Sequence, residues 1–111
     1  MYYQNLPLYL KLVNLLKTLY LVTHQLSKEY KFSLGQDVIN RNWELIDLFI
    51  LAQTGSNKLE TVKKINQQFD CLKLRIRFLS ELKLISLGQA SAISADTVEI
   101  GKMIGSWLKN G

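Results

Sequence analysis

The stretch VKKINQQFDCLKLRIRFL, Val62 to Leu79, decides the fold because its apolar residues recur at intervals of three and four. Residues at those intervals lie along one side of an α-helix. The stripe consists of Val62, Ile65, Phe69, Leu72, Ile76 and Leu79. The pattern predicts a long helix over residues 57–86, with this side packed into a core.

The opposite side of this predicted helix is also apolar, since Leu74, Phe78 and Ile85 fall almost opposite the first stripe. A helix in an isolated small bundle should be polar on its outer side. Contiguous apolar patches usually mark interaction surfaces. We therefore expect Leu74, Phe78 and Ile85 to contact further copies of the chain.

Cations lie between the two apolar sides. Lys63, Lys73 and Arg77 follow one flank, whereas Lys64 and Arg75 follow the other. Lys73 and Arg77 are four residues apart and are therefore neighbours on a helix surface. Such cations can neutralise phosphates without contacting bases, so Lys63, Lys73, Arg75 and Arg77 are candidate nucleic-acid contacts. Two alternatives remain: a solubilising surface, or arginines that pair with acidic residues of the second helix.

Three further helices are predicted outside this stretch. Pro7, the only proline, suits a first helical turn, and a stripe of leucines carries the first helix to about Ser27. Ser33 and Gln36 have the spacing of a capping box, which predicts a second helix over 34–52. The small polar run GQASAIS predicts a loop over 88–94, with Ser94 as the N-cap of a fourth helix over 95–109.

No alternation typical of strands is present, and the connections are short, which favours antiparallel neighbours. We predict one all-α domain over residues 1–111, an antiparallel up-down-up-down four-helix bundle that assembles as a homo-oligomer.

The sequence offers little for catalysis. His24 and Cys71 are the only residues of their types, so neither a disulfide nor a set of Cys and His metal ligands can form within the chain. No nucleotide-binding glycine motif is present. We expect no catalytic residue, no metal and no cofactor, and hence a protein that is not an enzyme.

The most apolar run, residues 6–22, contains Lys11, Asn14 and Lys17. Such residues are costly at the centre of a bilayer, so we expect a soluble amphipathic helix, no membrane contact and a cytoplasmic location. The net charge is +5, and the positive excess lies in residues 1–33 and 54–90. That excess suits an anionic partner such as nucleic acid, with Lys11 and Lys17 as weaker candidate contacts.

The chain closes with EIGKMIGSWLKNG, residues 99–111. Each glycine inside a helix costs about 1 kcal/mol relative to alanine. Gly101 and Gly105 are one turn apart, and we interpret them as a strip that lets a neighbouring helix approach closely. Trp107 would be a large packing anchor beside that strip.

Three stretches together resemble the accessory variability determinant (Avd) proteins of diversity-generating retroelements. They are FSLGQ at 32–36, LKLRIRFL at 72–79 and EIGKMIGSWLK at 99–109. The Avd proteins belong to a wider four-helix family that includes the S23-type proteins encoded in intervening sequences of ribosomal RNA genes. The closing pattern of two glycines and a tryptophan is the most telling part.

The resemblance implies a homopentameric barrel of four-helix bundles. It implies binding to the retroelement's reverse transcriptase and to its template RNA or the RNA–cDNA hybrid. It also implies support of adenine-directed mutagenesis of a template copy, by which a target gene is diversified. The family's basic helix positions correspond to Lys73 and Arg77. The alternative is an S23-type structural or interaction protein that binds no nucleic acid.

Overall fold

The computed structural model describes residues 6–55 and 57–110, so residues 1–5, 56 and 111 of the predicted domain lie outside it. The described residues contain no strand, and the predicted all-α class is confirmed. The elements are α1 (Leu6–His24), α2 (Lys28–Tyr30), a π-helical turn (Lys31–Gly35), α3 (Gln36–Thr54), α4 (Lys58–Glu81) and α5 (Leu87–Asn110).

The four long helices pack in a ring in which each contacts two neighbours. α1 lies beside α3 and α5, and α4 lies beside the same two helices from the other side. Because short connections join consecutive long helices, neighbours in sequence are neighbours in space. The predicted four-helix architecture is therefore confirmed for one chain, while its assembly into a homo-oligomer stays a prediction.

One side of α1 is buried. Leu12, Leu15 and Leu19 have no exposed surface, and the proline at position 7 stands in the first turn, where its missing N–H is not needed. α1 is long and apolar enough to cross a membrane by length and composition. The buried leucines of α1 nevertheless belong to the core of the bundle.

The predicted apolar stripe of α4 packs into the core along its whole length. All six of its residues, from Val62 to Leu79, are buried. The predicted helix extends too far, however, because α4 ends at Glu81. Lys83 has a positive φ of 59°, and the N–H groups of Lys83 and Leu84 donate to the carbonyls of Ser80 and Leu79. These two bonds form a Schellman motif, which ends a helix.

The start of α3 differs from the prediction. Ser33 is not an N-cap, because it lies inside the π-helical turn and its Oγ donates to the carbonyl oxygen of Glu29 at 2.7 Å. The residues between the first two predicted helices are themselves helical from Lys28 onward and run without a break into α3. Gly35 is buried there, and a Cβ on it would lie 3.1 Å from the carbonyl oxygen of Tyr30. The same Cβ would lie 3.3 Å from Leu26 and 3.4 Å from Thr23 near the end of α1, so a side chain at this position would crowd both segments.

The start of α5 also differs, and here a capping box does form. The backbone N–H of Gln89 donates to Ser86 Oγ at 3.0 Å, and the N–H of Ser86 donates to Gln89 Oε1 at 2.9 Å. The tetrapeptide SLGQ occurs at both 33–36 and 86–89, and only the second copy caps a helix. The predicted loop over 88–94 and the N-cap role of Ser94 are thus wrong, since α5 begins at Leu87.

Candidate nucleic-acid interface

A groove of about 420 Å³, lined by both polar and apolar residues, runs between the C-terminal half of α4 and the N-terminal half of α5. The cations Lys73 and Arg77 line its α4 side. The α5 side consists of small residues and hydroxyls. The lining residues are Lys73, Ile76, Arg77, Ser80, Ile85, Ala90, Ser91, Ser94 and Thr97.

Arg77 has fewer interactions with its own chain than Lys73, the other cation of the groove. It is exposed and makes no ion pair or hydrogen bond with the residues that the structure describes. The Nζ of Lys73 lies 3.2 Å from Asp70 Oδ1 and 5.2 Å from the centroid of the Phe69 ring. Exposed pairs of this kind are worth at most about 1 kcal/mol, so a phosphate could displace Asp70 from Lys73.

Arg75 lies on the other flank of α4, outside the groove. Its Nε is 2.6 Å from Asp37 Oδ2 on α3, and its Nη1 donates to the carbonyl oxygen of Cys71 at 3.0 Å. Arg41 also contacts Asp37 Oδ2, at 3.3 Å. Arg75 therefore lies apart from Lys73 and Arg77, and it forms the pairing with an acidic residue of the second predicted helix that the sequence left open.

Lys63 is also apart from the groove. It lies about 3.8 Å from Glu60 and lines a second concavity of about 480 Å³ between α3 and the first half of α4. Lys64 lines the same concavity, together with Gln67. The four predicted cations thus divide between three places, and only Lys73 and Arg77 share one.

Lys11 and Lys17, the weaker candidate contacts on α1, also differ in their surroundings. Lys11 Nζ lies 2.5 Å from Glu99 Oε2 and joins α1 to α5. The hydrogen bond from Lys11, and next its charge, hold the pKa of Glu99 below its usual value of 4.5, and the same contact raises the pKa of Lys11 above 10.5. Lys17 is exposed and has no ion pair among the described residues.

The two glycines of α5 do not serve close packing within the chain. A Cβ on Gly101 would meet Phe69 at 3.7 Å, an ordinary contact distance, and a Cβ on Gly105 would meet nothing within 4 Å. The predicted close approach of a neighbouring helix is therefore absent within one protomer. Trp107 is buried, and its ring centroid lies 5.5 Å from that of Phe49.

The predicted oligomer face is smaller than the sequence indicated. Leu74 is 55% exposed and Phe78 is 48% exposed, so both remain available for a partner. Ile85 is only 9% exposed and packs into the core of its own chain. Ile85 was misplaced because the helix was predicted to continue to residue 86. Leu82, one turn beyond Phe78 and 41% exposed, extends the exposed stripe instead.

Neither His24 nor Cys71 belongs to a cluster. Cys71 is a free, half-buried thiol, and the described residues include no group of three or more His, Cys, Asp or Glu side chains that could hold a metal ion.

Sequence reasoning missed the serines of the groove. Ser91, Ser94 and Thr97 are three residues apart and therefore lie along one side of α5. Ser91 and Ser94 escaped prediction as site residues because the composition of residues 88–94 predicts a loop. The capping-box spacing of Ser86 and Gln89 was the signal that could have revealed them.

Two comparisons with known proteins add to this geometry. The family model described as bAvd-like matches residues 8–111, which include all four long helices almost completely. No curated protein matches the chain.

Proposed function

The chain belongs to the bAvd-like family, and on that premise we propose that it is a non-enzymatic accessory subunit of a diversity-generating retroelement. In this role it binds the retroelement's reverse transcriptase and its template RNA or RNA–cDNA hybrid in the cytoplasm, and it supports mutagenic reverse transcription. The family match over residues 8–111 is the observation that carries the proposal.

The groove between α4 and α5 supports the nucleic-acid part of the proposal. Lys73 and Arg77 lie side by side at its wall, and Arg77 has no competing carboxylate among the described residues. Phosphate oxygens are the natural partners of such cations, and phosphate contacts fix a nucleic acid without selecting its sequence. An accessory subunit that holds many template sequences needs this kind of contact.

The exposed stripe of Leu74, Phe78 and Leu82 supports the homo-oligomer. The three side chains are each four residues apart, so they form one continuous apolar row on the outside of α4 and its C-cap residue Leu82. We propose that this row packs against another copy in a pentamer. Light scattering coupled to size exclusion tests the mass, and a monomer at micromolar concentration would refute the assembly.

The variant Lys73→Ala with Arg77→Ala tests the nucleic-acid contact. We expect weaker binding of single-stranded RNA and a less steep dependence of affinity on salt. The logarithmic slope should fall by about 1.4, because about 0.7 counterion is released per phosphate contact on a single strand. Oligomer mass should not change, since both cations lie outside the stripe of Leu74, Phe78 and Leu82.

Lys28→Ala with Lys109→Ala is the matched control, because it removes the same charge from two exposed positions outside the groove. Equal losses in both double variants would mean that only net charge matters. An unchanged affinity at low salt in the Lys73 and Arg77 variant would remove these residues from the mechanism. Binding of purified reverse transcriptase to the same variants tests the protein partner separately.

The second candidate is an S23-type structural protein without a nucleic-acid role. The observation that favours it is the internal pairing of cations, since Lys63, Lys73 and Arg75 each contact a carboxylate of their own chain. A location inside a ribosomal RNA gene, with no neighbouring reverse-transcriptase gene, would support this candidate.

A further inference from the structure

We propose that the groove between α4 and α5 holds the sugar–phosphate backbone of an RNA strand and that its serine hydroxyls favour RNA over DNA. The inference rests on the proposed function and deepens it, because it assigns a ribose contact to residues that the cation pattern did not include. The residues concerned are Ser80 on α4 and Ser91 and Ser94 on α5.

The hydroxyls of these three serines are available for hydrogen bonding. None makes a hydrogen bond with the residues that the structure describes. Several other hydroxyls on the helices are occupied, since those of Thr23, Ser33 and Thr61 donate to the carbonyl oxygens of Leu19, Glu29 and Asn57, four residues earlier. The groove therefore offers free donors and acceptors that are not occupied by the backbone of their own helix.

Cations and hydroxyls stand on facing walls. Lys73 and Arg77 project from α4, whereas Ser91 and Ser94 project from α5, and the space of about 420 Å³ lies between them. A phosphodiester between the walls would meet the cations on one side. The ribose attached to that phosphate would then meet the hydroxyls on the other side.

The chemistry of the walls matches RNA in one specific respect. A serine hydroxyl both donates and accepts a hydrogen bond, as does the ribose 2′-OH, which is the group that distinguishes RNA from DNA. The cations and the hydroxyls together match a phosphate and the ribose next to it, and for this reason a nucleic-acid backbone is the proposed occupant. An acidic protein segment, whose backbone could also bond the hydroxyls, is distinguished from RNA by the binding test.

The groove also lacks the means to hold a base. No aromatic ring belongs to its lining among the described residues, although aromatic rings are the usual platforms on which the bases of single strands stack. Contact with sugar and phosphate alone would select RNA over DNA without selecting sequence.

The test uses the full chain, the variant Ser91→Ala with Ser94→Ala, and three probes of one sequence: single-stranded RNA, its 2′-O-methyl form and the corresponding DNA. Alanine is a better helix former than serine, so α5 should persist, and circular dichroism checks this. We expect RNA affinity to fall about three- to tenfold, the range for one or two neutral hydrogen bonds. DNA affinity should be unchanged, and the native chain should bind the 2′-O-methyl strand less tightly than RNA.

The matched control is Ser106→Ala, which removes a hydroxyl of α5 outside the groove, and it should not alter either affinity.

Equal losses for RNA and DNA in the groove variant would overturn the ribose contact. Unchanged RNA binding in the groove variant, with weaker binding in the Lys73 and Arg77 variant, would overturn the inference and leave the proposed function intact. Loss of reverse-transcriptase binding alone would assign the groove to a protein segment and also overturn it. A native chain that binds none of the probes would refute the RNA-binding part of the proposed function itself.

Discussion

Arg75 Nε lies 2.6 Å from Asp37 Oδ2, and this ion pair joins α4 to the first turn of α3. The Arg75 and Asp37 side chains are 30% and 41% exposed, so water screens their attraction in part. Asp37 also accepts from Arg41, and Arg75 also donates to the carbonyl oxygen of Cys71. Arg75 therefore belongs to the packing between two helices and is not a free cation of the surface.

The first prediction is that Arg75→Ala lowers the free energy of unfolding while RNA affinity stays close to that of the native chain. Partly exposed pairs contribute up to about 1 kcal/mol, and urea denaturation measures a loss of that size. A double-mutant cycle with Asp37→Asn isolates the pair. If Arg75→Ala weakens RNA binding as much as Arg77→Ala does, Arg75 contacts the nucleic acid after all.

The second prediction concerns three glycines with different surroundings. Gly35→Ala should destabilise the chain by about 1–3 kcal/mol, the usual effect of overpacking. Its Cβ would lie 3.1 Å from Tyr30 O, 3.3 Å from Leu26 Cδ1 and 3.4 Å from Thr23 Cβ. Gly105→Ala should instead stabilise the chain by about 1 kcal/mol, because alanine is the better helix former and no atom lies within 4 Å.

Thermal denaturation of the two variants gives the comparison, and Gly101→Ala serves as the intermediate case because Phe69 lies 3.7 Å from its Cβ. Light scattering on the same samples adds a second result. A Gly105→Ala chain that is more stable but no longer oligomeric would place the glycine strip at a contact between copies. A destabilised Gly105→Ala chain would contradict the open surroundings of this residue.

The buried stripes were predictable from sequence because they depend only on helical periodicity and hydrophobicity. The whole predicted stripe of α4 is buried, and so is Trp107. The start of α5 was not predicted, since small polar residues after Gly88 suggested a loop. The buried Ile93 lies at helical spacing from Ile100 and Ile104, and that pattern outweighs the local composition.

The site was predictable only in part, for a different reason. The neighbours Lys73 and Arg77 follow from their spacing on one helix. The partner of Arg75 depends on how α3 packs against α4, which periodicity does not define. The two copies of SLGQ also show that local sequence does not define local structure. The copy at 86–89 forms a capping box, whereas the copy at 33–36 lies in the π-helical turn and the first residue of α3.

The third prediction is a pH dependence that comes from Lys11 and Glu99. The folded-state pKa of Glu99 lies below 4.5, mainly because Lys11 donates a hydrogen bond to it. A carboxyl whose pKa is lowered by folding adds stability above its unfolded pKa and loses it as the pH falls through the folded pKa. The difference in unfolding free energy between the native chain and Glu99→Gln should therefore be constant near neutral pH and shrink below pH 4.5.

At alkaline pH the stability contribution of the pair changes in the opposite direction, because it is lost as the pH rises. The folded-state pKa of Lys11 lies above 10.5, so its contribution is present below that pH and disappears as the pH rises through the folded value. Urea denaturation from acid to alkaline pH measures both limbs. A difference between the native chain and Glu99→Gln that persists undiminished in acid would show that the pair does not stabilise the fold through its charges.

The fourth prediction concerns Asn42, which has no exposed surface and whose Nδ2 donates to the carbonyl oxygen of Leu12 at 3.0 Å. Asn42→Asp would bury a carboxylate against that carbonyl oxygen, with neither a donor nor a cation to compensate. We expect a loss of about 3–5 kcal/mol at neutral pH, as for an uncompensated buried charge. Burial raises the pKa of such a carboxyl, so the loss should diminish in acid, where the protonated group can donate to Leu12.

Asn42→Leu should be nearly neutral, because the carbonyl of Leu12 lies inside α1 and keeps its helical hydrogen bond. Asn40→Asp is the matched control, since Asn40 is exposed on the same helix and only accepts from Gln36 Nε2. Urea denaturation at neutral and acid pH compares the three variants. If Asn42→Leu were as damaging as Asn42→Asp, the hydrogen bond to Leu12 would itself stabilise the contact of α1 with α3, and the charge would not explain the loss.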